Sequence, residues 1–176
     1  PTRAFLTTAH LLHLMAAVLH QDRDLLDLAI QHYESALQLE PERPDVLRNL
    51  GLALAATGET DRARVKYARA FAHTPSDPVL LRNMGELRYR MSDTQGAAEL
   101  YRAAIRQDAC LVSASFGLGT VLQAQGHMEE ANQVLRHAAA CPSLSSYVAY
   151  RVGLALEQQG LGRDALHVWE EFLERA

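Results

Sequence analysis

The sequence holds only two cysteines, one lysine and one tryptophan, and it carries no excess of positive charge. Each shortage excludes something. Cys110 and Cys141 do not make a disulfide framework, and no Cys-x-x-Cys or Cys/His cluster points to structural zinc, so the redox compartment stays open. With lysine confined to Lys66, arginine supplies the other basic groups, a bias from which no function follows. The balance of 17 basic against 21 acidic side chains, a net charge of −4, argues against nucleic-acid binding, which draws most of its affinity from phosphate neutralisation. The most apolar stretch, Ala4 to Leu19, is interrupted by Thr7, Thr8, His10 and His13. It is shorter than the roughly 20 residues a membrane span needs, so we read it as a buried helix. The chain opens on Pro1 with no charged leader ahead of a small-residue cleavage site, which we take as a processed or cropped start. Nothing fixes the compartment, and the cytoplasm is the working expectation.

What is there favours helices. Apolar residues make up 48% of the 176, mostly Ala and Leu, whereas aromatics make up only 6%. That content suffices for a core and suits α-helix better than the β-branched and aromatic chemistry of sheets. A period of 34 organises it. Gly51, Gly85, Gly119 and Gly153 recur at that spacing, with Ala17 one period earlier. Ala29, Ala63, Ala97, Ala131 and Ala165 hold a second phase, followed four residues later by Tyr33, Tyr67, Tyr101, Leu135 and Trp169. Ala36, Ala70, Ala104 and Ala138 mark a third, and Pro41 and Pro75 end the first two units.

Five units result: 10–43, 44–77, 78–111, 112–145 and 146–176, with residues 1–9 as an N-terminal extension or cap. Each reads as two helices joined by a short turn. In the best preserved unit, the first helix is expected over about Asp45 to Ala56 and the second over about Thr60 to His73, stopped by Pro75. Gly58, Gly126 and Gly160 supply the turn phase, where Ser92 and Asp24 stand in two other units. Gly51 and Ala63 are expected where the paired helices approach most closely, with Ala63, Ala97 and Ala131 almost fully buried. Stacking then makes the core continuous, because neither helix covers its apolar face alone. Phe172 takes the phase of a close-packing alanine, so the array is expected to end near residue 176.

This pattern resembles the tetratricopeptide repeat family over about residues 10 to 176. The words that carry it are Leu50-Gly51 with Leu54, Gly58, Ala63, Tyr67, Ala70 and Pro75, then Gly85, Ala97, Tyr101 and Ala104. The resemblance implies an all-α, right-handed α-solenoid of five helical pairs.

Sequence motifs for chemistry are missing. There is no phosphate-binding Gly-x-x-x-x-Gly-Lys-Ser/Thr, no Gly-x-Ser-x-Gly and no His-Glu-x-x-His. Gly117-Leu118-Gly119 lacks a third glycine and lies inside an expected helix, so it is a repeat feature and not a dinucleotide loop. His10, His13 and His20 share a helical face without a carboxylate or cysteine at ligand spacing, and we read them as partly buried. Glu129-Glu130 and Glu170-Glu171 read as solvated outer faces. No catalytic residue, cofactor or metal is assigned.

The resemblance places function on the concave wall lined by the first helices. At the implied positions stand Leu11, Leu14, Met15 and Val18, then Asp45, Arg48, Asn49 and Leu52. The third unit offers Arg82, Asn83, Glu86, Tyr89 and Arg90. The fourth offers Ser113, Phe116, Gly117, Thr120 and Gln123, and the fifth Tyr147, Tyr150, Arg151, Leu154 and Glu157. Arg48-Asn49 and Arg82-Asn83 look like rungs of the asparagine ladder of O-GlcNAc transferase superhelices, in which the amide grips a peptide backbone. Gly117 and Arg151 break the series, and the alternative is an amide at a common helix-surface phase. The carboxylate clamp of chaperone-binding relatives fits poorly, because Leu14, Val18 and Val79 stand where its polar residues are wanted.

The expected function is a non-catalytic protein-interaction module: an adaptor, assembly factor or chaperone. Its ligand is expected to be an extended protein segment with acidic and apolar residues, held by Arg48, Asn49, Leu52, Arg82, Asn83, Glu86, Tyr89, Arg90, Phe116, Thr120, Tyr147, Tyr150 and Arg151. Two alternatives stay open: a substrate-selecting domain of a larger enzyme such as a glycosyltransferase, and a scaffold that self-associates through its apolar first unit.

Overall fold

The computed structural model describes residues 23–141, 146–158 and 160–175, and within these the side chains of 146–148, 151, 171, 172, 174 and 175 are outside the description. The described residues form nine α-helices and no strand. They are α1 (Arg23–Leu39), α2 (Pro44–Thr57), α3 (Thr60–His73), α4 (Pro78–Arg90), α5 (Thr94–Gln107), α6 (Val112–Ala124), α7 (Met128–Ala139), α8 (Ser146–Gln158) and α9 (Gly162–Arg175). These are the second helix of the first repeat and four complete pairs. The expected first helix, with Leu11, Leu14, Met15, Val18 and the three histidines, lies outside the described residues, as do the extension 1–9 and the Phe172 side chain.

The chain divides into two compact units at Leu80 and Leu81. In the first, α2 opens with Pro44 in its first turn, where the missing N–H costs nothing. It closes on Gly58, whose φ of 88° is the left-handed geometry that a side chain disfavours. Helix α3 ends at His73, with the Thr74 N–H donating to the Ala70 carbonyl before Pro75 stops it. The buried face of α1 is Leu26, Ala29, Ile30, Tyr33 and Leu37, and that of α2 includes Val46, Leu47, Leu50 and Leu54. Ala63 and Ala70 of α3 are fully buried beside Tyr67. On the outer side Arg62 reaches Glu34 at 2.6 Å and Arg69 reaches Glu42 at 2.5 Å. Both pairs are well exposed and therefore contribute little to stability.

The second unit repeats the arrangement. Ala97, Ala104, Ala131 and Ala138 have no exposed surface, as the phase analysis requires. One cluster gathers Leu81, Tyr101, Leu118, Val121 and Leu122, and a second gathers Leu135, Ala149, Val152, Leu156, Ala165 and Val168, with Trp169 packed against it. Asp93 caps α5, its Oδ1 accepting from the Gly96 N–H at 2.9 Å, and this bond first and Arg88 second hold its carboxyl below the usual range.

Two observations depart from the sequence reading and a third sharpens it. Asp24 is not at a turn but inside α1, in its first described turn, where a carboxylate suits the helix dipole. The sulfurs of Cys110 and Cys141 are joined, with Cα atoms 5.6 Å apart, which links the segments that follow α5 and α7. Ser92, at the turn phase held elsewhere by Gly58, Gly126 and Gly160, takes the same left-handed backbone at φ 63°. Ser92→Gly should therefore stabilise the fold by about 1 kcal/mol by relieving backbone strain. Urea unfolding checks this, and an unchanged midpoint refutes it.

Candidate functional site

The first helices carry the candidate site, and each unit presents its own share. In the first unit, Arg48 does not stand free on the surface. Its Nη1 donates to Asp77 Oδ2 at 2.5 Å, with both side chains partly buried. The other oxygen of Asp77 accepts from the N–H groups of Val79 and Leu80, at 2.9 and 3.2 Å, and so caps the start of α4. Arg48 thus steadies a capping carboxylate. Asp45 pairs with Arg43 at 2.9 Å, not with Arg48. Asn49 and Leu52 are half-buried. Behind Asn49 lies Tyr33, only 2% exposed, whose hydroxyl has no partner at hydrogen-bonding geometry among the described residues. Desolvation pushes this phenol up to about 12, and the nearby Arg48 charge and Asn49 amide only partly offset that.

In the second unit, Glu86 is the hub. It accepts from Arg90 Nε at 3.0 Å and from the Tyr101 hydroxyl at 3.1 Å. Burial, followed by the negative charge of Glu86 and this hydrogen bond, raises the Tyr101 phenol well above its ordinary range, against a smaller opposing effect of Arg82. The Tyr101 ring lies against two glycines. A Cβ built on Gly85 meets its ring atoms at 3.0 Å, and one built on Gly117 would overlap Cζ, Cε1 and Cε2. The glycine that interrupts the asparagine series therefore has a packing reason: it makes room for the tyrosine of the preceding repeat. Sequence spacing alone did not reveal this, although the Tyr101 phase and the extra glycine together were the signal.

The remaining residues differ sharply in access. Asn83 is 3% exposed and its Oδ1 is buried without a partner among the described residues, so its amide is not on open surface. Arg82 is half-buried, has no carboxylate within ion-pair distance among the described residues, and has a buried Nε without a partner. Tyr89 packs partly against the first cluster and Phe116 partly against the second. The Thr120 hydroxyl donates to the Phe116 carbonyl at 3.0 Å and remains exposed. Tyr150 is 56% exposed. The side chains of Tyr147 and Arg151 lie outside the described residues. No group of three or more His, Cys, Asp or Glu able to hold a metal occurs among the described residues, and no described helix is long and apolar enough to cross a membrane.

Comparison with known proteins agrees with this geometry. Two family models match, one described as TPR repeat over residues 25–58 and one as tetratricopeptide repeat over residues 82–145. BBSome complex member bbs-4 of Caenorhabditis elegans is 28% identical over 142 residues, which cover 79% of this chain and 30% of that protein. Photosystem I assembly protein Ycf3 of Synechococcus sp. (strain WH7803) is 33% identical over 95 residues, covering 44% of this chain and 55% of that protein. The chain thus spans about half or less of the length of these relatives. Among solved structures, a thermophilic TPR protein of Thermus thermophilus aligns with TM-score 0.69 at 20% identity, covering 95% of this chain and 91% of that one. MamA aligns with TM-score 0.65, also at 20% identity, covering 88% and 90%. The register of small residues, the helical pairs and the two matching family models together make this chain a member of the tetratricopeptide repeat family.

Proposed function

We propose that this chain is a non-catalytic interaction module that holds a segment of a partner protein on the faces of its first helices, in the role of an adaptor or assembly factor. The observation that carries the reading is the contrast between Arg48, which is committed to Asp77, and Arg82, which has no carboxylate partner among the described residues. An unpaired, half-buried guanidinium favours an acidic group on the ligand. In the same unit the exposed Tyr150 and the half-buried Tyr89 and Phe116 provide aromatic surface, and Thr120 adds a hydroxyl. Arginine and aromatic side chains are the usual anchors of protein interfaces. Asn49 and Leu52, half-buried on the first unit, are that unit's own candidate contacts. Asn83 is enclosed, so it serves the ligand only if its neighbours part. Arg90 is already engaged by Glu86 and contributes less than Arg82. The names of two relatives, one a photosystem I assembly protein and the other a member of the BBSome complex, fit this reading.

The test is capture of the partner by the immobilised chain, followed by titration calorimetry with the retained protein. Arg82→Ala with Tyr150→Ala should weaken binding by about 2 kcal/mol or more and leave the unfolding midpoint nearly unchanged. Added salt should weaken the parent further, since exposed charge pairs are screened over about 10 Å at 0.1 M. A partner retained equally by the double variant, or one that this chain chemically converts, rejects the reading.

A further inference from the structure

The second helices of the third and fourth repeats leave a cleft between them, and its walls are elements the proposed ligand face does not use. It measures about 370 Å³ and lies between α5 and α7, with Ile105 and Arg106 on one wall and Val134 and His137 on the other. Its floor is Leu118 and Ser115 of α6. Two ties hold its walls. Toward the start of α7, Arg102 Nη2 meets Glu130 Oε1 at 2.6 Å, and beyond the other ends of the helices Cys110 is joined to Cys141. Of the two, the covalent Cys110–Cys141 link is the one that fixes the spacing of the segments after α5 and α7, since the ion pair is well exposed.

Three features say what it takes. Ile105, Leu118 and Val134 favour an apolar group. Arg102 is neutralised by Glu130, but Arg106, about one turn further along α5, has no carboxylate partner among the described residues and favours a negative charge at the rim. The Ser115 Oγ beneath the floor has no exposed surface, so it bounds the cleft without offering an occupant a polar contact, and the floor is effectively apolar. The cleft also recurs. Arg136, Asp164 and Val168 stand 34 residues after Arg102, Glu130 and Val134, and they line a second cleft of about 270 Å³ between α7 and α9, closed by an Arg136–Asp164 pair at 2.7 Å. Two clefts one repeat apart within one unit suit a polypeptide with spaced apolar side chains better than a single small molecule.

We propose that these clefts form a second docking surface, for an acidic, leucine-bearing segment of a partner protein, with one apolar side chain between α5 and α7 and a carboxylate on Arg106. The probe is an acetylated, amidated hexapeptide, Asp-Leu-Asp-Asp-Leu-Asp, titrated into the full chain while methyl NMR signals of Ile105, Leu118 and Val134 are followed. A counterpart with lysine for every aspartate is the control. The acidic peptide should shift these methyls saturably, the basic one should not, and Arg106→Glu, an exposed change, should weaken binding about tenfold or more. The Arg82→Ala, Tyr150→Ala variant should bind the peptide like the parent, which separates this surface from the first-helix site. Absence of methyl shifts, equal shifts from the basic peptide, or indifference to Arg106→Glu overturns the proposal. So do contacts from these methyls to another segment of the same chain that already fills the cleft.

Discussion

Gly51→Ala is expected to destabilise the protein by about 2 to 3 kcal/mol, whereas Gly119→Ala, at the same phase two repeats later, is expected to be neutral or stabilising by up to about 1 kcal/mol. Both changes gain the same helix propensity, because alanine is the better helix former by about 1 kcal/mol. They differ in what the new methyl meets. At Gly51 it falls 2.5 and 2.6 Å from Cε1 and Cδ1 of Tyr67, distances that real carbon pairs do not adopt. Tyr67 is 1% exposed, so its ring cannot swing into solvent and the helices must separate. At Gly119 the neighbour is Leu135, and the methyl lands at 3.5 Å, an ordinary packing contact. Gly85 stands between them, with Tyr101 ring atoms at 3.0 Å, and its alanine variant should lose an intermediate amount. Chemical denaturation of the three variants checks the order. If Gly51→Ala and Gly119→Ala shift the midpoint equally, the glycine phase is a propensity effect and the packing argument fails.

The same contacts explain which parts of the molecule were legible in the sequence. The 34-residue period located the turns and small-residue positions because these depend on residues within one repeat: Gly58 at a left-handed turn, Ala63 fully buried, and Tyr67 against Gly51. Helix α3 runs over the expected Thr60 to His73, and α2 differs from its expected span by one residue at each end. The candidate site was less legible because exposure of a wall position depends on a neighbouring repeat. Arg48 looked like a ligand-facing cation until its carboxylate proved to be Asp77, 29 residues away and at the head of another helix. Gly117 looked like a missing rung and is a seat for Tyr101. Asn49 and Asn83 share a phase and differ in access, since only Asn83 is closed off. The α5–α7 cleft escaped notice because its walls come from second helices, whose outward residues read as plain solvated surface. The Cys110–Cys141 link escaped for a related reason: the two residues occupy different phases of the repeat, so no periodic signal joins them.

Raising the pH from about 9 to 12 is expected to cost the fold about 2 to 3 kcal/mol through Tyr33 alone. The sign follows from which state holds the proton. Burial at 2% exposure disfavours the phenolate, so the folded protein keeps the neutral form up to about 12, whereas the unfolded chain ionises near the ordinary value of 10.0. Stability is therefore fully present below pH 10 and is lost as the pH rises through 12, because there the unfolded state releases its proton first. Two units at about 1.4 kcal/mol each give the magnitude. Tyr101 acts in the same direction, its phenol raised by burial and then by Glu86, so the observed decline should exceed that of one group. Phenylalanine variants separate the two tyrosines. The Tyr33 hydroxyl has no partner at good hydrogen-bonding geometry among the described residues, only the nearby Asn49 amide, so Tyr33→Phe should change stability by less than about 1 kcal/mol at pH 7 and flatten the alkaline decline. The Tyr101 hydroxyl donates to Glu86, so Tyr101→Phe should lose about 1 to 2 kcal/mol at pH 7 while also blunting the alkaline loss. Urea unfolding at pH 7, 10 and 11.5, with tyrosinate absorbance followed in the same samples, checks both. Parallel decline of Tyr33→Phe and the parent between pH 10 and 12 means that this phenol does not carry the loss.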